Sequence, residues 1–475
     1  MYILFFTLTN ITGFFSVSQT TVYALTAAAS STPPTPSTPP GSPTASTPAA
    51  PPPSSPSPST SSTLRRKPSA TSPSPPARRT ATPSPYPPPP QAAAAAYFLR
   101  TFTVYDNYDG KSHSPSFDVS VRGTLVFQWR SPWSEPVSRS GAYSDLFFHH
   151  DEPAVDLCFY SIATDSPVIA SLELYQIDAN AYPFDHPQNS TNFVLINYGR
   201  FSSGSGQWGP GFSNDTDFFG RSWISDADFR QQTISTANGA SIKAISAIKN
   251  VANVEKSPNY FPEKLYQTAI MAAGHNGGGG GVLEYELTVD AKMDYLLWFH
   301  FAEIDVSVTR AGQRVFDVLV NDESVRRVDV FKEVGGFAAY DWSFVVRNLS
   351  STTLSVRLEP VVGAPVICGL ENYAIVPVDL RTEPNQVVAM RALKASLDVP
   401  DRMGWNGDPC APTTWDAWEG VTCHPSKDEA YLVVSQIDLG SQGLKGLSVI
   451  KLPSCLTWSA CKYQHLISYS FVHFY

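Results

Sequence analysis

The chain has 475 residues, 42% of them apolar, enough for two or three domains with real cores. Proline and charge are unevenly spread: 22 of the 41 prolines lie in residues 31–90, no Asp or Glu precedes Asp106, and the cations up to residue 90 are Arg65, Arg66, Lys67, Arg78 and Arg79. The remainder carries 28 basic and 42 acidic residues, and a globular part that acidic excludes nucleic acid as a partner.

Residues 1–30 open with an apolar run followed by small residues, the length of a signal-peptide core. No Lys or Arg precedes the run, so an organelle transit peptide is the second reading. Thr7, Thr9, Asn10 and Thr12 interrupt it well short of the ~20 apolar residues that a membrane anchor needs. Residues 31–96 are dominated by Pro, Ser, Thr and Ala, which bury too little to offset ordering entropy; a disordered or polyproline II linker is expected, with an O-glycosylated stalk as the sharper alternative.

Beyond residue 96 the pattern alternates with period two. Strands are expected at 98–105, 117–121, 124–129, 155–161 and 170–177, with a boundary in the Pro-containing connector 178–192. Further strands are expected at 282–289, 295–301, 315–320, 342–346, 353–358 and 373–378, and a helix at 383–397, where Val387, Met390, Leu393 and Leu397 recur at helical spacing. The stretch 97–119 returns as 295–318, each a strand, an acidic loop and a strand opening with Phe-Asp-Val. Downstream, Pro167 and Pro365, Leu172 and Leu370, Glu173 and Glu371, Tyr175 and Tyr373, and Ile177 and Ile375 keep a constant offset of 198, so the unit is duplicated.

The loop Tyr105-Asp-Asn-Tyr-Asp-Gly110, the run Phe219-Gly-Arg-Ser-Trp223 and the paired Leu-Glu-x-Tyr-x-Ile strands resemble the malectin-like ectodomains of plant receptor-like proteins and kinases. Met403-Gly-Trp-Asn-Gly-Asp-Pro-Cys410 to Trp418-Glu-Gly-Val-Thr-Cys423 is similar to the cap that opens a leucine-rich-repeat array, and residues 434–446 are similar to a first repeat. The resemblance implies a mainly β chain: a first malectin-like β-sandwich module at 97–180, a second at 193–380, a leucine-rich-repeat cap at 383–447 and an unpatterned tail at 448–475. The second half has an opening, 193–294, whose counterpart in the first half falls at or before residue 96, where a leader and a proline tract stand instead. The first module is therefore expected to lack strands, leaving unpaired edges and exposed apolar surface. The repeat also fails after Gly446, so the chain reads as an alternative or truncated product of a longer receptor-like protein.

Cys410 and Cys423 flank Trp415 and Trp418 in a segment with little core, and a bridge there would stabilise by about 3 kcal/mol through loop closure. A zinc site with His424 lacks further ligands. Cys158 and Cys368 read as core thiols, and Cys455 and Cys461 fall in the tail. Sequons begin at Asn189, Asn214 and Asn348, which fits a glycosylated, oxidising compartment.

Candidate ligand residues cluster at the acidic loop: Tyr105, Asp106, Tyr108 and Asp109, with Trp129 and Trp133 nearby. Aromatic faces with a polar rim suit sugar rings, while the bland alternatives are strand aromatics and solvated turn acids. Glu303 and Asp305 form the matching loop of the second half. The spacing fits no calcium loop, and a glycosidase pair of carboxylates would have to come from different modules. No catalytic constellation emerges, and nothing calls for a cofactor or a metal. The expectation is a non-enzymatic protein, secreted or at the cell surface, whose resemblance implies a cell-wall oligosaccharide or peptide ligand and a co-receptor kinase as partners. A proline-rich structural or adhesion protein of the wall is the alternative reading, and a polysaccharide-active enzyme the less favoured one.

Overall fold

Strand alternation gives each strand two distinct faces: Tyr97, Leu99 and Thr101 point one way, Phe98, Arg100 and Phe102 the other. The computed structural model describes residues 22–26, 79–83, 95–107, 109–150, 155–163, 165–185, 192–231, 241–274, 280–400, 403–440 and 444. The strands of the first half are β1 (Val22–Thr26), β2 (Arg79–Pro83), β3 (Ala95–Thr103), β4 (Phe117–Val121), β5 (Thr124–Trp129), β6 (Ala142–His150), β7 (Asp156–Ser161) and β8 (Ser171–Ile177). In the second half they are β9 (Phe193–Ser202), β10 (Ile224–Ser225), β11 (Ser241–Ser246), β12 (Thr268–Ala273), β13 (Leu283–Thr288), β14 (Met293–Ala302), β15 (Val315–Val320), β16 (Glu323–Val328), β17 (Ala339–Leu349), β18 (Thr353–Val362), β19 (Val366–Ile367) and β20 (Gly369–Pro377).

The duplication read from the 198-residue offset is visible as topology. A long sheet runs β1-β8-β3-β6-β9-β20-β14-β17, which is one four-strand order, β1-β8-β3-β6, repeated as β9-β20-β14-β17. The second layer repeats in the same way, β2-β7-β4-β5 in the first half and β13-β18-β15-β16 in the second. Antiparallel pairing of β6 with β9 fuses the two long-sheet units edge to edge. Contacts such as Phe301 on Phe316, 5.6 Å between centroids, join the layers, and one apolar cluster runs through both halves.

The strand repeat corrects the expectation of missing edge strands. β1 occupies in the first half the place of β9 in the second, and β2 the place of β13. Val22–Thr26 lies within the stretch expected as a leader and Arg79–Pro83 within the expected linker. Both supply edge partners, pairing rows of strand N–H and C=O groups on β8 and β7 that would otherwise stand at an open edge. What has no described counterpart is the segment between β9 and β13, which carries β10, β11 and β12 across the second half.

After β20 the chain forms a separate small core. Pro384–Ser396 is helical, with Pro384 in the first turn and Glu383 accepting from the Gln386 amide, and buries Met390 and Leu393. The Cys410–Cys423 disulfide, the stacked Trp405 and Trp418, and the hairpin β21 (Val421–Pro425) and β22 (Leu432–Ile437) complete it. This unit comes after the second half in sequence yet docks on the first: Trp415 stacks on Tyr160 at 5.0 Å and donates from Nε1 to Asp118, 3.1 Å. The expected tail at 448–475 lies outside the described residues. Among the described residues no helix is long and apolar enough to cross a membrane.

A chain beginning at Ala95 loses β1 and β2 and exposes the edges of β8 and β7. Its urea midpoint should fall below that of the full chain; an equal midpoint would show that the two strands contribute nothing to folding.

Candidate functional site at the junction of the halves

One face of the long sheet carries a row of charges that alternates from strand to strand. It runs Glu173 on β8, Arg100 on β3, Asp145 on β6, Arg200 on β9, Glu371 on β20, His300 on β14 and Asp341 on β17. Arg100 makes a two-pronged pair with Asp145, both bonds 2.8 Å, and Arg200 reaches the same carboxylate at 3.1 Å across the β6–β9 seam. Arg200 Nε also donates to Glu371 at 3.0 Å, and His300 bridges Glu371 at 3.1 Å and Asp341 at 2.8 Å. Apart from Glu173 and Asp341 the row is buried. Burial opposes charge on Asp145, yet Arg100 and Arg200 hold its carboxyl below the usual range. Burial likewise opposes charge on Glu371, and His300, Arg200 and Arg221 bring it down to about 2. Burial works against the His300 cation, but Asp341 and Glu371 raise its pKa above the ordinary 6.5.

A second clasp lies over the row. Arg221 is fully buried, pairs with Asp217 at 2.9 Å, and donates to the Tyr182 hydroxyl (2.9 Å) and the Tyr260 carbonyl (2.9 Å). Its guanidinium lies over the rings of Phe219 (4.8 Å) and Phe261 (5.0 Å). Tyr182, from the connector between the halves, donates in turn to Glu371 at 3.0 Å, and Tyr373 donates to the same carboxylate. Beside this connector lies a cavity of about 120 Å³ lined in part by Phe147, Phe148, Ile177, Tyr182, Phe184 and Leu195. It is below the ~300 Å³ of ordinary ligand pockets.

The family model of the malectin-like domain matches residues 81–375. The chain belongs to the malectin-like family. Receptor-like protein 4 of Arabidopsis thaliana is 32% identical over 335 residues, 70% of this chain and 51% of that protein. A probable LRR receptor-like serine/threonine-protein kinase of the same plant, At1g51880, is 26% identical over 364 residues, 74% of this chain and 37% of the kinase. The chain thus spans about half, or less, of the length of these relatives. Among solved structures, FER in the complex with plant peptide RALF23 and LLG2 superposes with a TM-score of 0.51 at 17% identity, over 63% of this chain and 81% of that one. The ANX2 ectodomain from Arabidopsis thaliana gives 0.51 at 15% identity over the same shares, and both likenesses show the fold alone.

Within this malectin-like frame the acidic loop is ordered from inside. Tyr105 is buried, its hydroxyl donating to Asp109 at 2.6 Å and its ring edge-on to Trp133. Asp109 is exposed, its pKa lowered chiefly by that phenol, and Asp106 is exposed too. Trp129 and Trp133 are half-buried with centroids 4.7 Å apart. Tyr108 lies outside the described residues, as does Asn189; Asn214 and Asn348 are exposed. Cys158 and Cys368 are buried in different halves, and Cys455 and Cys461 lie outside the described residues. His149 and His150 end strand β6, with His150 buried. In the matching loop Glu303 is buried rather than solvated. Burial outweighs Arg314, with Asp305 and Asp329 adding repulsion, and pushes Glu303 up to about 7. Arg314 Nε is 2.9 Å from its carboxylate, but neither atom is aligned for a hydrogen bond. The charge row itself was missed in the sequence, although the paired Glu173 and Glu371 marked two of its members.

Replacing Arg200 by Met leaves Asp145 and Glu371 short of a buried cation and should cost about 3–5 kcal/mol, read as a drop in urea stability with m unchanged. Linkage sets the pH profile. Glu303, ordinarily 4.5 and about 7 when folded, contributes fully below 4.5 and that contribution is lost as pH rises through 7. The His300 contribution is complete below 6.5 and lost as pH rises through its raised value. Glu371 acts oppositely, stabilising above 4.5 and losing that contribution as pH falls toward 2. Unfolding free energy should therefore decline as pH rises from about 5 through about 7, and Glu303→Gln should flatten part of the slope. A level profile across that range would count against these assignments.

Proposed function

We propose that this chain is the extracellular recognition part of a receptor-like protein, secreted or held at the cell surface, that binds a peptide together with a co-receptor and performs no chemistry on it. The observation that carries the reading is the family match over residues 81–375 in a chain whose fold superposes on FER as solved with RALF23 and LLG2. The internal ion row supports it, because groups engaged in fixing the angle between halves give a rigid frame for ligand capture. We read each repeated sheet pair as one malectin-like β-sandwich module and residues 383–447 as the cap and first repeat of a leucine-rich array. Asn214, exposed in a loop, and Asn348, exposed at the end of β17, then serve as glycosylation acceptors.

A second reading, a cell-wall oligosaccharide as ligand, is favoured by the half-buried Trp129 and Trp133 beside the exposed carboxylates of Asp106 and Asp109. Rings standing next to carboxylates suit a sugar's apolar face and its hydroxyl edge.

The full chain, secreted from a eukaryotic host, is to be offered a wall-oligosaccharide array and, separately, extracellular peptides with and without a candidate co-receptor ectodomain. Saturable peptide binding that tightens when the co-receptor is added is the expected result. Binding to a defined oligosaccharide that Trp129→Ala weakens on the order of tenfold would move the weight to the second reading. A folded chain that binds neither would remove both.

A further inference from the structure

The duplication supplies an internal comparison. In the second half, Glu371 and Tyr373 are buried beneath the segment between β9 and β13: Phe261 lies 4.5 Å from His300 and Trp223 5.6 Å, and the Tyr266 hydroxyl stands 3.2 Å from His300 Nδ1. Their counterparts in the first half, Glu173 and Tyr175, are half-buried at the open face of β8. The stretch at the matching chain position, residues 27–78, lies outside the described residues.

The two faces also differ in charge. Glu371 sits opposite Arg200 in the β20–β9 ladder, whereas Glu173 sits opposite Ala24 in the β8–β1 ladder. The place of His300, 198 residues back, is Phe102. Arg100 is directly across from Glu173 but turns its Nε and Nη2 to Asp145. Among the described residues the side-chain donor to Glu173 is Tyr175, at 2.8 Å. Around this carboxylate the floor is aromatic: Phe102 and Tyr143 are half-buried and 4.7 Å apart, and Phe212 from the second half stands 6.0 Å from Tyr143 as a wall. A Cβ built on Gly220 would come 3.3 Å from the Tyr175 ring, so the same segment closes the other side.

We propose that this face is a docking site for an extended peptide of a partner protein that presents an arginine to Glu173 and an aromatic side chain to the Tyr143–Phe102 floor. The proposal rests on the recognition reading above and names the partner chemistry. In the second half Arg200 of the neighbouring strand donates to the equivalent acid and rings of the segment between β9 and β13 lie over the same face; Glu173, with no arginine donating to it among the described residues, selects for the same chemistry. Arginine fits better than lysine because its planar fork engages a carboxylate in two bonds and stacks on rings. An extended segment fits because the register sets Glu173, Phe102 and Tyr143 side by side across β8, β3 and β6.

The test pans a displayed random heptapeptide library against the full glycosylated chain and against its Glu173→Gln variant, with thermal unfolding of both to compare folding. Arginine next to an aromatic should be enriched on the parent chain alone. In a resynthesised hit, replacing that arginine by neutral citrulline should weaken binding on the order of tenfold, about 1.4 kcal/mol, on the parent, and have no effect on the variant. Should Glu173→Gln unfold, Glu173→Asp keeps the charge, shortens the reach and should reduce the citrulline difference. Peptides selected equally by parent and variant would remove this site while leaving peptide recognition elsewhere on the chain intact. Arginine enrichment that emerges only after residues 27–78 are replaced by a short Gly-Ser linker would put the occupant in the same chain and overturn an external partner. Oligosaccharide binding abolished by Glu173→Gln, with no peptide selected, would overturn the peptide commitment.

Discussion

Asp145 is the hinge of the structure's energetics. Among the described residues it is the carboxylate that meets an arginine from each half, Arg100 on one side and Arg200 across the β6–β9 seam. Burying three such charges costs several kcal/mol per ion unless each finds its partner with good geometry. That condition makes the junction all-or-none: the two arginines must arrive together, so β3, β6 and β9 must already be in register. Hydrophobic burial supplies the stability of both halves, while the ion row selects one relative placement of them.

The row also explains why two copies of one strand order do different work. In the second half a long insertion between the first two strands lies over the charged face and turns Glu371 into a buried structural acid. Its tip reaches past the seam, and Phe212 and Gly220 touch Tyr143 and Tyr175 of the first half. The insertion thus serves as cover for one half and as wall for the other. Among the described residues the cover lies over one copy, and the face of the other copy is where we place a partner.

Much of the architecture was legible in the sequence, and the misses have physical causes. Strands such as β4, β5 and β15 show clean period-two alternation and were read to their ends, and the 198-residue offset carried the repeat. β6 and β9 were missed because Asp145 and Arg200 stand where core residues belong, and an alternation test counts a charge as a solvent-facing position. Only the partner strand, distant in sequence, reveals that each charge is neutralised. β1 and β2 were missed for a different reason: they sit in a leader-like and a proline-rich context, where composition speaks louder than five residues of pattern. The Phe-Gly-Arg-Ser-Trp run was noticed as a family mark, yet its role as the clasp beneath Tyr182 needed the fold. Tyr105, read beside its acids as a candidate ligand contact, places its ring in the core and its hydroxyl on Asp109, a placement that needed the fold.

The C-terminal unit extends the same logic of fixed geometry. It could have continued away from the second half, since the chain leaves β20 at Pro377; instead the Asp379 carboxylate accepts from Thr413, and the Asp379 amide donates to the Thr124 hydroxyl of the first half. With Trp415 on Tyr160 and Asp118, three anchoring contacts tie the last described unit to the first strand layer. The chain therefore doubles back, and the unit that resembles the start of a repeat array is oriented by the first half, not by its neighbour in sequence. A partner engaging the Glu173 face would then touch the half that also positions the C-terminal unit. The face proposed for a ligand on one layer and the anchor of the C-terminal unit on the other are joined through the same pair of packed sheets, across about 10 Å of core.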